Sequence, residues 1–410
     1  MLENIFHLKE NHTDVKTEIM AGITTFMTMA YILAVNPNIL SAAGMDSKAV
    51  LIATALASFI ATALMAVLAN YPFALAPGMG LNAFMAYTVV AGYGYSWQVA
   101  LLAVFIEGLI FIVLSLTNIR EAIFNAIPLT LKKGVSVGIG LFIAFIGLQN
   151  SGLCVDSATL VGIISFPENF HTAGICALLT LIGLFFTAVF YTRKMKGAIL
   201  YGILLTWILG MLCQVTGLYV PTPDAGFYSL FPSWGMTDFS KLGLTFGQCF
   251  NVDFSAVGIV NFIVVIFSFL FVDIFDTLGT LIGVATKAKM LDKDGKLPGI
   301  KPALLADSIA TSAGAILGTS TTTTFVESAS GVAVGGRTGL TALVTGILFL
   351  VSTLFAPIFT AIPSFATAPA LIMVGFLMVG TVTEINFDLD NLTESIPAYL
   401  AIIAMPLFYS

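Results

Sequence analysis

Charged side chains are scarce in this 410-residue chain: Asp, Glu, Lys and Arg together make up 9% of it, against 58% hydrophobic residues. A soluble globular domain carries about a quarter charged residues, so a water-soluble enzyme and a nucleic-acid-binding domain are both excluded. Histidine is scarcer still. The three present, His7, His12 and His171, lie outside the apolar runs, which excludes an intramembrane zinc site or a histidine-based catalytic triad. Cysteine occurs four times (Cys154, Cys176, Cys213, Cys249) with no CxxC spacing. These read as packed or lipid-facing thiols, not as metal ligands or disulfides. No metal and no cofactor are expected.

What is abundant is uninterrupted apolar sequence. Runs such as LIATALASFIATALMAVLA, VALLAVFIEGLIFIVLSL, GICALLTLIGLFFTAVF and GLTALVTGILFLVSTLFAPIF recur, each long enough to cross a bilayer as a helix. The chain is therefore a polytopic membrane protein. Its first segment lacks a signal-peptide cleavage pattern and reads as a retained helix. With residues 1–16 taken as cytoplasmic, fourteen cations fall inside: Lys9, Lys16, Arg120, Lys132, Lys133, Arg193, Lys194, Lys196, Lys287, Lys289, Lys293, Lys296, Lys301 and Arg337. Only Lys48 and Lys241 fall outside. That asymmetry sets the orientation, and one miscounted span would have scrambled it.

Internal repeats are the next thing to seek. Shifting the chain by about 249 positions lays LASFIATALMAVL (Leu56 to Leu68) over LADSIATSAGAIL (Leu305 to Leu317), and TMAYILAVN (Thr28 to Asn36) over TLGTLIGVA (Thr277 to Ala285). The hydropathy pattern predicts helices over 17–43, 48–69, 78–91, 95–117, 131–149, 170–191 and 197–216. A second set is predicted over 256–286, 301–318, 327–336, 338–356, 366–382 and 393–410. An odd number of segments separates each element from its copy, so the halves face opposite ways: an inverted repeat, the architecture of secondary transporters. The offset puts the copy of the seventh helix beyond Ser410, so the last segment is expected to be missing.

The third segment of each half is too short to span. In NYPFALAPGMGLNAFMAYTVV, Pro72 and Pro77 oppose helix before Gly78. In TSTTTTFVESASG, the β-branched Thr321 to Thr324 favour an extended strand before Glu327. The offset matches Gly78 with Glu327. Each half thus offers a strand feeding a half-helix at mid-membrane, the pattern that points to a binding site.

Five carboxylates lie within apolar segments: Glu107, Asp273, Asp276, Asp307 and Glu327. Such residues are costly in a bilayer and are functional candidates by default. Asp273 and Glu327 are assigned to function because they fall at the repeat-related discontinuity, and Asn82 is their polar counterpart in the first half. Asp276 either carries a proton or braces its helix. Glu107, beside Gly108, either joins two helices by a buried hydrogen bond or belongs to the site. Asp307, near a helix entrance after Pro302, is read as structural, and the threonine run as strand. Burial and the positive end of a half-helix act on the protonation of Glu327 in opposite directions, which suits proton coupling. Carboxylates accept N–H donors, and no cation lies nearby before Arg337. The expected cargo is neutral or cationic and carries N–H groups.

At these residues the sequence resembles a known family. GITTFMTMAYILAVNPNIL, ALAPGMGLNAF, FVDIFDTLGTLIG and GTSTTTTFVESASGVAVGGRTGLTA are similar to the motifs of the azaguanine-type purine permeases, the adenine/guanine/hypoxanthine branch of the nucleobase:cation symporters. The resemblance covers essentially the whole chain. It implies an all-α 7+7 inverted-repeat fold with a core domain (17–117 and 256–356) and a gate domain (118–216 and an incomplete 357–410), joined by an external loop at 217–255. It implies uptake of hypoxanthine, guanine or adenine across the cytoplasmic membrane by alternating access, coupled to a proton or sodium ion. Asp273 and Glu327 match the carboxylates that hold the purine's N–H groups, Asn82 the third-segment asparagine, and Gly78 and Gly80 the glycines that let backbone approach the ligand. Phe325 is assigned to stacking on the ring, and Asp276 and Thr28 to proton coupling or support of the site. A homodimer is an assembly that this reading leaves open. Its rivals are an anion transporter of the same fold, which would want a cation in the site, a channel, and an intramembrane aspartyl protease, for which no GxGD motif occurs.

Overall fold

The computed structural model describes residues 2–117, 119, 122, 128–157, 161–222, 226–232, 235–254, 257–288, 290, 297–385, 387 and 392–408. Of the cations assigned to the inside, Arg120, Lys289, Lys293 and Lys296 lie outside the described residues. Among those described, ten helices are long and apolar enough to cross a membrane, and Met79–Gly92 and Leu392–Leu407 are shorter apolar helices. Chain contacts divide the molecule into two units, Met1–Lys132 with Thr237–Ala356, and Lys133–Met236 with Pro357–Ser410.

The first unit opens with a single turn, α1 (Leu2–Phe6), followed by α2 (Val15–Met29) and α3 (Ile32–Ser41). The last two form one span, Val15–Ser41, interrupted at Ala30 and Tyr31. Then come α4 (Ser47–Leu64), β1 (Leu75–Pro77), the half-helix α5 (Met79–Ala83), whose continuation Phe84–Gly92 winds as a wider π-helix, and α6 (Trp97–Leu116). Side chains supply the helix starts: Asp14 accepts from the N–H groups of Lys16 and Thr17, Asp46 from Ala49 and Ser96 from Val99, each satisfying an N–H left over at a helix N-terminus.

The second unit contains α7 (Leu129–Asn150), a hairpin of β2 (Cys154–Asp156) with β3 (Val161–Ile163), α8 (Ile175–Thr192) and α9 (Ala198–Val215). Here α8 and α9 meet through a reciprocal lock of small residues. Gly183 has no room for a side chain against Thr206, and Gly202 none against Thr187. Each threonine hydroxyl donates to the carbonyl of the glycine on its own helix, at 2.7 Å. Small residues that let backbones touch are how helices associate without a hydrophobic drive between them.

Returning to the first unit, the chain forms α10 (Ile259–Ala288), α11 (Ile300–Leu317), β4 (Thr322–Thr324), the half-helix α12 (Ser328–Val334) and α13 (Gly339–Ser352). The second unit is completed by α14 (Ser364–Val379) and α15 (Leu392–Phe408), with Thr180 on α8 donating to the carbonyl of Phe365. The stretch expected as an external loop has a structural task at its end. Thr245 donates to the carbonyl of Leu317, and the Gly247 N–H to that of Ile316, so this segment caps α11 where Gly318 turns away at φ 101°. That left-handed turn needs a glycine.

The inverted repeat is written into the strand pair. β1 and β4 run antiparallel with Leu75 facing Thr324, two residues 249 positions apart. Antiparallel strands related by a two-fold axis must pair self-consistently under the repeat offset. They do: Ala76 faces Thr323, and the repeat-related contact is present as the Phe325 N–H donating to the carbonyl of Ala74. Helix starts obey the same offset, because Gly78 precedes α5 as its N-cap and Glu327 precedes α12 as its N-cap. Threonines that match in the repeat pin the strands. Thr62 on α4 both donates to the carbonyl of Leu75 and accepts from its N–H, each at 3.0 Å. Its copy Thr311, on α11, donates to the carbonyl of Thr322 at 3.2 Å.

Candidate functional site

The two strands have no sheet to continue into, so their flanking backbone is held by buried side chains of the first unit. Thr321 donates to Glu107 at 2.8 Å, tying the approach to β4 to α6. Glu107 is thus a buried strut, but from a helix to the approach of a strand and not between two helices as expected. Asn36 donates to Thr54 and Thr319, fixing the turn before the strand. Ser328, at the start of α12, accepts from the N–H of Ala74. The half-helix N-termini are thereby fixed on opposite ends of one short antiparallel pair.

Around that pair the structure gathers Glu327, Asp276, Gly78, Thr323 and Thr28. Glu327 is half-buried, and its Oε1 accepts a 2.7 Å hydrogen bond from the hydroxyl of Tyr31. Thr28 directs its hydroxyl to the Thr25 carbonyl at 2.8 Å and reaches the Glu327 carbonyl at 3.5 Å. Asp276, also half-buried, takes the Thr323 hydroxyl on Oδ2 at 3.2 Å. A side chain at Gly78 would stand 2.9 Å from Thr323 Oγ1 and 3.2 Å from Asp276 Oδ2. Glycine is therefore what lets the α5 backbone lie against that carboxylate.

The two α10 acids part company. Asp273 and Asp276 stand on neighbouring stripes of the helix, and Asp273 is fully buried, accepting from Thr277 at 2.7 Å. The same hydroxyl lies 3.2 Å from Asp307 on α11. Asp273 therefore sits with Thr277 and Asp307, while Asp276 sits with the strands. Asn82 is fully buried on α5; its amide N–H reaches the Pro77 carbonyl at 3.4 Å, and its Oδ1 has no hydrogen-bond partner among the described residues. Gly80 is buried on the same half-helix. Phe325 is 5% exposed, and its backbone extends the strand pair.

Tyr31, which bonds to Glu327, is a residue that the sequence reading does not single out. The signals that point to it are its place in TMAYILAVN, a segment matched by the repeat, and the phenol at a helix interruption within an apolar span. Together these side chains offer carboxylate and carbonyl acceptors close to backbone, a surface that takes N–H donors. No Lys or Arg occurs between Pro302 and Gly336 to attract an anion. Among the described residues, no group of three or more His, Cys, Asp or Glu side chains is arranged to hold a metal ion.

The sequence model of the Xan_ur_permease family (Permease family) matches residues 16–408. The guanine/hypoxanthine permease PbuO of Bacillus subtilis is 46% identical over 411 residues, covering 98% of this chain and 89% of that protein. The adenine permease AdeQ of Escherichia coli is 41% identical over 412 residues, covering 100% of this chain and 87% of that one. Among solved structures, the transmembrane domain of a cyanobacterium bicarbonate transporter BicA superposes with a TM-score of 0.67, covering 95% of each chain at 16% identity. That likeness shows the fold, the 7+7 inverted repeat of transporters.

Proposed function

This chain belongs to the Xan_ur_permease family, a transporter and not an enzyme, and from that premise we propose that it takes up purine nucleobases by alternating access. The observation that carries the reading is the placing of two half-buried carboxylates at the repeat-related half-helix starts, Glu327 as the N-cap of α12 and Asp276 against Gly78, the N-cap of α5. Similarity to relatives named as guanine/hypoxanthine and adenine permeases supports it. A purine is planar and carries N–H donors on both rings, which these acids accept; charge-assisted hydrogen bonds of this kind are about twice as strong as neutral ones.

In this reading the unit of Met1–Lys132 and Thr237–Ala356 is the core that holds the substrate, and the other unit is the gate. Asn82, whose Oδ1 is unpaired among the described residues, and the backbone at Gly78 and Gly80 complete the binding surface, with Phe325 as the ring's stacking partner. A proton is the coupling ion, the cytoplasmic membrane the site of action, and the N-terminus cytoplasmic. Thermal stabilisation of the purified chain by hypoxanthine, guanine, adenine, uracil and sulfate tests the substrate class, because a ligand that binds only the folded state raises the midpoint. Shifts with purines alone are expected. A shift with sulfate or uracil alone overturns the reading.

A further inference from the structure

We propose that Glu18 is a positioning residue for the site: it fixes the half-helix α12 along α2 and so sets where the Glu327 carboxylate stands. The inference rests on Glu327 binding a purine, as set out above. Glu18 lies in the first turn of α2, at the opposite end of that helix from Thr28, and is fully buried. Its Oε1 accepts from the Arg337 N–H at 2.8 Å. Its Oε2 accepts from the N–H groups of Thr338 and Thr341, at 3.3 and 3.1 Å, and from the Thr341 hydroxyl at 2.6 Å. All of these donors come from the start of α13 and the turn that joins α12 to it.

A cap for α13 would need less. The first N–H groups of that helix each have a side-chain acceptor: Asn70 for Gly339, Thr338 for Leu340 and Glu18 for Thr341. The Arg337 and Thr338 N–H groups lie before the helix, so the bonds to them hold the turn itself. The Arg337 side chain in turn donates from Nη1 to the carbonyls of Val332 and Gly336, both at 2.7 Å, where a cation suits the negative end of α12. The turn is thus tied to α2 by Glu18 and to α12 by Arg337. Between the turn and the site, α12 rides on one stripe of α2. Gly335 lies against Thr17, and Gly331 lies against Ala21 and Thr25 with no room for a side chain. The Glu327 carbonyl comes within 3.5 Å of the Thr28 hydroxyl. Positions three or four apart share a helix face, so these contacts run in register down one side of α2. A half-helix of 7 residues draws its stability from what it packs on, and a shift of its far end is carried to Glu327 at the near end.

The test is hypoxanthine binding by the purified full chain, measured by calorimetry where each variant is folded, beside the ligand-free melting midpoint. Glu18→Gln sets an amide NH2 against a backbone N–H whichever way it turns, and the dissociation constant is expected to rise about tenfold. Thr345→Val is the comparison, because its hydroxyl donates from α13 to the Gly22 carbonyl on α2 at 3.0 Å without touching the turn. It should lower the midpoint and leave the constant within about twofold of the wild type. In a Glu327→Gln background, Glu18→Gln should add less than about threefold, since it acts through an acid already replaced. A Glu18→Gln chain with a lower midpoint and unmoved affinity overturns the proposal, and so does a loss that adds in full to that of Glu327→Gln. Where Glu18→Gln does not fold, Glu18→Asp decides. It keeps the charge and shortens the arm, so the constant should rise at least about threefold, and an unmoved constant overturns the proposal. A wild type that binds no purine overturns the purine reading instead.

Discussion

At the scale of single residues, the candidate site is defined by which acids the fold leaves partly exposed. Glu327 and Asp276 are half-buried and each keeps one oxygen tied to a neighbouring hydroxyl. Glu327→Gln replaces an acceptor with an amide that turns a donor toward the ligand. Purine affinity should fall about ten- to a hundredfold, the worth of a charge-assisted hydrogen bond of about 1.5–3 kcal/mol, in a binding titration; unchanged affinity would place the site elsewhere. Asp276→Asn should weaken binding comparably and flatten the pH dependence of uptake more than Asp307→Asn does, and the opposite ranking would move the coupling group to the Asp307 side of α10. Sequence alone located the carboxylates because charge is so rare in this chain. It gave Asp273 the substrate and left Asp276 to proton coupling or support, but it did not show their surroundings, Asp273 against Thr277 and Asp276 against Thr323, because the direction each takes depends on α11 and β4 packing on either flank. Tyr31 escaped for a related reason: an aromatic ring is unremarked in apolar sequence, and its value lies in a hydroxyl whose partner is 296 positions away.

At the scale of elements, the strand pair is the least self-sufficient part of the fold. Three residues per strand make too few ladder bonds to stand alone, and buried threonines of α4 and α11 supply the rest. Thr62→Val removes a hydroxyl that serves both the N–H and the carbonyl of Leu75, leaving buried backbone groups with a poorer partner. It should lower stability by about 1–3 kcal/mol, read as a drop in the melting midpoint in detergent, and Thr311→Val, which loses a single 3.2 Å bond, should cost less. The I-A-T identity shared by the two halves was legible in the sequence, but why those letters match was not, because the hydroxyls act on backbone that is distant along the chain. A gentler case is the α2 cap. The Thr17 side chain, ahead of the backbone N–H groups of Thr17 and Lys16, holds the Asp14 carboxyl below its ordinary value of 3.8. A depressed carboxylate contributes stability above its unfolded value and loses it as pH falls through the folded one. Asp14→Asn, which caps without titrating, should therefore remove that increment of acid sensitivity from the midpoint measured between about pH 5 and pH 3.

At the scale of the whole molecule, the inverted repeat joins the strand register to the orientation of every loop. If the two halves are related by the two-fold axis that passes between Leu75 and Thr324, then loops at equivalent positions face opposite sides of the membrane. The charge asymmetry then has to fall where the alternating segments put it. Lys48 and Arg193 are both exposed, and the orientation proposed above puts Lys48 outside and Arg193 inside. Cysteine introduced at Lys48 should react with a membrane-impermeant maleimide in intact cells, above the background of the four native thiols. Cysteine at Arg193 should react only after lysis. Labelling of both from one side would mean that a segment between them does not cross. The half-helix Met79–Gly92 would be the segment to blame, because among the described apolar helices of that stretch it alone is shorter than a full span and counts as a crossing only together with β1. The experiment thus bears on the same discontinuity that places Glu327 and Gly78 at equivalent helix starts, and a failure there would remove the symmetry argument for the site along with the topology.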